Sequence, residues 1–349
     1  MVVSGEWWQR DGSLGRSTMA HRVIYNVPTM THSTRRSSPP PRWLPSNGWG
    51  TVYVLAAVAL TAAGVALSTA EMTLVWLTGQ VLLALAFLQW FALLHEAGHR
   101  TLFRTRWLND VAGQLAGFLA LIPLTSWRPI HARHHRWTGW QDIDPTTAVL
   151  APQERPRPRY QRWTVNICWA LWIPLFSLLY RLSNYWHLPR LWRLLPTAGE
   201  RRRMVVGAVI YLLGYAALVV WCGPLWLCRL LGCALFLTMV AQDLLILSQH
   251  THIPQRCSHG EAVRPFSAAQ QEVFTRSLVF PRWFSGWILL HLDAHELHHV
   301  YPRVPGYYLG QLARPTLNAM PWWQWVWRAR RIRGDVLLFQ NRDQTGYLI

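Results

Sequence analysis

The chain has 349 residues, 51% of them hydrophobic and 23 of them Trp, and a formal charge of +18 that comes entirely from arginine because lysine is absent. A mean hydropathy only slightly above zero excludes a bundle made of nothing but spans and points to a few membrane helices joined by large polar segments. Such a charge would also suit nucleic acid, but here the arginines flank apolar runs and alternate with Trp, which favours anionic lipid headgroups and argues against a nucleic-acid partner.

Residues 1–45 are rich in Ser, Pro and Arg without apolar periodicity, which predicts a disordered basic tail on the cytoplasmic side. Four uncharged or nearly uncharged stretches follow, at 51–70, 72–94, 204–222 and 225–247. About 20 apolar residues at ~1.5 Å rise cover a ~30 Å hydrocarbon core, so each predicts a span. The turns at Glu71 and at Gly223-Pro224 are too short to hold a domain and pair the spans into two hairpins. Two shorter runs, 111–127 and 163–180, contain Pro123 and Pro174 and read as interfacial or re-entrant. Cys168, Cys222, Cys228, Cys233 and Cys257 form no C-x-x-C pair and read as packing residues. Near the end, Trp322, Trp323, Trp325 and Trp327 beside Arg328, Arg330, Arg331 and Arg333 predict an interfacial segment over 316–349.

Eight histidines fall in three clusters: His95 and His99; His131, His134 and His135; His295, His298 and His299. Positions i, i+3 and i+4 share a helix face, so each cluster presents a block of imidazoles in one direction. Zinc is satisfied by four ligands. Eight histidines therefore fit two metals sharing one site, and imidazole suits iron, copper, nickel and zinc alike. Since metal bonds are about 2 Å long, all three clusters must reach the same side of the membrane, with an even number of crossings between them. The runs at 111–127 and 163–180 then do not cross, and four spans remain. In this arrangement every arginine except Arg229 lies on the histidine side, which the positive-inside rule makes cytoplasmic. The fold expected is an all-α integral membrane protein: four transmembrane helices in two hairpins, interfacial helices and a cytoplasmic histidine-rich helical cap.

The segments His95-Glu96-Ala97-Gly98-His99, His131-Ala132-Arg133-His134-His135 with Asp142-Ile143-Asp144-Pro145, and His295-Glu296-Leu297-His298-His299 with Val300-Tyr301-Pro302-Arg303-Val304-Pro305 resemble the three histidine boxes of membrane fatty-acid desaturases. The resemblance covers about 50–315, and 46–315 is expected to form the desaturase domain. It implies a non-heme di-iron enzyme that uses O2 and two electrons to introduce a double bond into a lipid-linked acyl chain, with electrons from a separate ferredoxin- or cytochrome b5-type carrier. It also implies a further ligand at the inner end of the fourth span, where His250 is chosen over His252; an Asn found one turn earlier in some members is Ile246 here. Hydroxylation or ketolation of an acyl or carotenoid substrate is the alternative outcome of the same boxes. Supporting carboxylates are available from Glu96, Asp142, Asp144, Asp293, Glu296 and above all Asp243, two turns before His250, where an ionisable group near a span end requires a partner. His95-Glu96-x-x-His99 also fits a zinc-protease motif with Glu96 as base, although the other two boxes would then be surplus. A metal transporter would carry its ligands within the spans, whereas these lie at the span ends.

Overall fold

The computed structural model describes residues 43–152, 156–312 and 316–349. The expected N-terminal tail lies almost wholly outside these residues. A first hairpin joins α1 (Asn47–Ser68) to α2 (Thr73–His99). Next come α3 (Arg106–Leu119) and α4 (Leu124–Trp137), bent by 100° relative to one another. In the following pair, α5 (Arg159–Ala170) is separated by a 117° bend from α6 (Leu175–Arg181), which a π-helical turn extends to Trp186. A short α7 (Leu188–Leu194) leads to the second hairpin, α8 (Ala198–Cys222) and α9 (Pro224–His250). α1, α2, α8 and α9 are long and apolar enough to cross a membrane. The two bent pairs coincide with the proline-bearing runs, and neither is a straight span. Each break combines a residue of positive φ, Leu121 (59°) or Trp172 (59°), with a following proline that cannot continue the helical ladder.

The central helix is α2, packed by α1, α3 and α9. A Cβ on Gly79 would lie 2.5 Å from the Ser68 nitrogen, so a side chain there would force α1 and α2 apart. Next to it, the fully buried Gln80 donates to Ser68 Oγ (2.9 Å) and Leu230 O (2.8 Å) and accepts from Ala234 N (2.9 Å), joining both hairpins across the apolar layer. An amide in hydrocarbon is tolerated because its bonds are made. At the far turn Gly223 adopts φ 81° and Pro224 starts α9, where its missing N–H costs nothing.

Beyond α9 the chain builds a cap from short pieces: a two-residue strand β1 (Leu278–Val279), α10 (His295–Val300), α11 (Gly306–Leu309), β2 (Met320–Pro321) paired parallel to β1, α12 (Trp322–Ala329) and α13 (Gly334–Phe339). Residues 316–349 are not a separate layer. Trp325, Ala329 and Leu337 are buried with Leu247 of α9 and Leu278 of β1, while Trp322, Trp323 and Trp327 remain exposed.

Candidate metal centre

Four helices deliver the imidazoles. His95 and His99 occupy the last turns of α2, and Gly98 between them has no room for a side chain: a Cβ there would lie 1.9 Å from the Trp127 ring. Trp127, one turn before His131 on α4, stacks on that imidazole (centroids 4.2 Å, planes 22°) and meets His95 edge-on at 5.5 Å. His131, His134 and His135 follow on α4, His250 ends α9, and His295, His298 and His299 form α10.

The nine side chains fall into two groups, each with its ligand atoms within 4.8 Å of one another: His95, His99, His131, His135 and His298, and His134, His250, His295 and His299. The two H-x-x-H-H segments divide crosswise. In α4 the i, i+4 pair His131/His135 joins the first group and His134 the second; in α10 the i, i+4 pair His295/His299 joins the second and His298 the first. Within the face that i, i+3 and i+4 share, the i+4 residue lies to one side of i and the i+3 residue to the other, so each short helix serves both groups. The Nε2 atoms converge, at 2.9 Å for His99–His131, 3.0 Å for His131–His135 and 2.9 Å for His135–His298, and at 2.9 Å for His250–His295 and 3.1 Å for His295–His299. Nitrogens bound at about 2.0–2.1 Å and at right angles around one ion are about 2.9 Å apart. His95 Nε2 is buried without a protein hydrogen-bond partner among the described residues. The donor set and its spacing therefore fit two imidazole-rich metal positions.

Charge at this site is held off the rings. Burial, reinforced by neighbouring imidazoles, keeps His131, His135, His295, His298 and His299 well below the ordinary imidazole value, so they stay neutral with lone pairs available. Among the proposed supporting carboxylates, two touch a clustered histidine. Asp144 Oδ2 pairs with His134 Nδ1 at 2.6 Å, while its Oδ1 accepts from the Thr146 N–H and hydroxyl, both at 2.9 Å. Burial raises the Asp144 carboxyl, but His134 and the Thr146 bonds outweigh it and keep it below its usual value. Glu96 Oε1 lies 3.3 Å from His95 Nδ1, and its Oε2 accepts from Thr101 Oγ1 (2.7 Å) and Gly306 N (2.8 Å). Glu96 is thus turned toward Thr101, the Gly306 loop and His95.

The other carboxylates serve elsewhere. Asp243 Oδ1 accepts from the Ser177 N–H at the start of α6, not from His250 or any clustered imidazole, because Ser177 rather than a histidine faces this turn of α9. Glu296 accepts from Ser277 N and Asn318 N and so braces β1 and β2; Asp142 accepts from Ser258 and His259; Asp293 accepts from Ser285. A support that the sequence did not announce is Gln271, whose Oε1 pairs with His299 Nδ1 at 2.9 Å while its Nε2 donates to His135 O at 2.7 Å, linking the two groups. Only the packing of the helical turn at residues 268–274 against α10 reveals it. His252 has left the helix, with φ 58°, and its Nε2 faces Thr345 Oγ1 at 2.8 Å, outside both groups.

One cavity touches both groups. His95, His131, His134, His250 and His295 border it, and its remaining wall is largely apolar, from Phe91, Trp127, Leu150, Phe176, Ile246 and Leu292.

The sequence profile described as "Fatty acid desaturase" matches residues 71–331. An sn-1 oleoyl-lipid 12-desaturase of Picosynechococcus sp. is 27% identical over 241 residues, 63% of this chain and 62% of that protein. A probable fatty acid desaturase of Sorghum bicolor is 27% identical over 288 residues, 77% of this chain and 71% of its own length. An sn-1 acyl-lipid omega-3 desaturase (ferredoxin) of Nostoc sp. is 23% identical over 269 residues, 68% and 69% of the two chains. The match therefore spans less than two thirds of the first of these relatives.

Proposed function

Because the chain belongs to the fatty acid desaturase family, we propose that it is an O2-dependent di-iron acyl desaturase that introduces a double bond into a lipid-linked acyl chain. The observation that carries this reading is the pair of imidazole groups bordering a single, mostly apolar cavity. His95, His99, His131, His135 and His298 would hold one iron and His134, His250, His295 and His299 the other. The iron pair, when bound, supplies the oxidising power needed to remove hydrogen from an unactivated methylene, with the overall balance of one CH2–CH2 unit, O2, two electrons and two protons giving CH=CH and two waters.

The protein's own part is to position and to exclude. Asp144 holds the Nδ1 proton of His134, Gln271 that of His299, and Glu96 is set to hold that of His95, which keeps the opposite nitrogens aimed inward. Phe91, Trp127, Leu150, Ile246 and Leu292 offer an alkyl chain contact without hydrogen-bond competition and keep bulk water from the reacting carbons. A substrate drawn from the bilayer suits the position of the groups at the inner ends of α2 and α9. The arginine asymmetry supports a cytoplasmic site and cytoplasmic termini. Electrons would come from a separate carrier; one relative's name includes ferredoxin.

The direct test is the lipid profile, by mass spectrometry, of a heterologous host with and without the chain. A fatty acid with one added double bond is expected; a new hydroxyl or keto group would mark the other outcome of the same chemistry, and an unchanged profile would overturn the reading.

A further inference from the structure

Resting on the desaturase reading, we propose that Phe176 is the partition that fixes where along the acyl chain the reaction takes place, and that Asp243 is the positioning residue that holds the partition in place.

Phe176 borders two cavities. The first is the one at the histidines; the second, of similar size, lies behind α6 between α5, α9 and α13 and is lined by Cys168, Trp169, Leu179, Leu247 and Leu338, with Asp243 at its edge. Among the described residues Phe176 is the one side chain common to both linings. The pattern of α6 explains this. Phe176 and Tyr180, at i and i+4, face the histidine cavity with their rings 5.9 Å apart and 27° from parallel, and Leu175 and Leu179, also i and i+4, face the second cavity. One turn of helix is all that separates the two spaces.

That turn is held by polar groups unusual for so apolar a setting. The Ser177 N–H, in the first turn of α6, donates to Asp243 Oδ1, and a carboxylate at a helix N-terminus meets both the free N–H groups and the positive end of the helix dipole. Arg181, buried at the other end of α6, donates to Ser177 O (3.3 Å), Ala120 O (3.4 Å) and Gln242 Oε1, tying the same segment to α3 and α9. Tyr185 donates to the Tyr180 hydroxyl at 3.1 Å. Burying Asp243 and Arg181 is costly unless each is hydrogen-bonded, and here those bonds fix a wall and not a metal ligand. An acyl chain lying past the histidines ends against the Phe176 ring, and the distance from that ring to the metal positions sets which methylenes react.

The test is the position of the new double bond, read from mass spectra of derivatised fatty acids in a host expressing the full chain. Wild type should give one dominant position. Phe176→Ala should join the cavities and move the bond by one or more carbons, or admit chains at least two carbons longer. Adding Leu338→Phe, which refills the second cavity from its far wall, should bring back the wild-type position. Asp243→Asn should give a mixture of positions with unchanged iron per chain. If Phe176→Ala fails to accumulate, Phe176→Leu, shorter but still apolar, decides the matter in the same way. Wild-type position and chain length in these Phe176 variants would overturn the proposal, as would an Asp243→Asn protein that loses iron while keeping one position. A wild-type chain that makes no double bond at all would instead overturn the desaturase reading.

Discussion

The main-chain N–H of Gly306 donates to Glu96 Oε2 at 2.8 Å, across 210 residues of sequence. This bond fastens the loop after the third histidine box to the helix carrying the first, and the same carboxylate also takes the Thr101 hydroxyl and faces His95 Nδ1. A Cβ at Gly306 would lie 2.2 Å from Leu290 O, so the approach requires glycine. Removing this buried side chain leaves the Gly306 N–H without its acceptor and His95 Nδ1 without its neighbour, while the Thr101 hydroxyl keeps its second acceptor, Glu96 O, at 3.0 Å.

Glu96→Ala should therefore lower turnover or iron affinity by about 10–100-fold, the range for partners that orient metal-binding imidazoles. Iron analysis and turnover of purified variants check this. Values within twofold of wild type would show that Glu96 supports nothing at the site.

Gly98→Ala has two opposed effects. Alanine in a helix interior is favoured over glycine by about 1 kcal/mol, but here its Cβ would lie 1.9 Å from the Trp127 ring that stacks on His131. Overpacking of this kind costs about 1–3 kcal/mol, so the net sign should be destabilising. A lowered Tm and lowered iron content are expected, with partial recovery when Trp127→Phe makes room; an unchanged or raised Tm would show that the ring moves aside freely.

Acid should weaken the metal-free protein. Burial holds His131, His135, His295, His298 and His299 well below the ordinary value of 6.5, so the folded chain binds fewer protons than the unfolded chain once the pH falls below that value. Stability is then level at higher pH and declines as pH drops below about 6.5. Tm of chelator-treated protein in detergent, followed from pH 8 to pH 5, should be flat and then fall; a rise on acidification would contradict the buried neutral imidazoles.

At the C-terminal end of α9 the two histidines should separate cleanly. His250→Ala removes a member of the four-histidine group and should cost iron and turnover. His252→Ala removes the contact with Thr345, outside both groups, and should keep both. The reverse result would place the wrong residue in the group.

Much of this was legible in the sequence because it depends on period and on length. Apolar runs of membrane-spanning length gave the hairpins, and i, i+3, i+4 spacing gave the clustered imidazoles. Residues two apart on a helix face different ways, which distinguishes His250 from His252 in the sequence; in the structure the separation arises because α9 ends at His250 and His252 lies beyond it with φ 58°. Tertiary pairings were not legible. Asp243 looked like a support for His250 because the two lie two turns apart on one helix, but its partner comes from α6, 66 residues away. Gln271 carries no motif and gains its role only where its helical turn packs against α10. Trp325 sits in a Trp/Arg-rich segment that reads as interfacial, yet it is fully buried because α12 lies on the end of α9. The crosswise division of the two H-x-x-H-H segments follows from helical geometry, but which group takes the i, i+4 pair depends on how α4 and α10 face each other.

Metal content per chain bears most directly on the two groups of imidazoles. Purified wild-type protein should hold close to two irons, falling to about one when His134→Ala or His299→Ala disables the four-histidine group and likewise when His99→Ala disables the five-histidine group. A single metal per wild-type chain, or zinc whose amount does not respond to any of these three substitutions, would contradict a di-iron centre built from both groups.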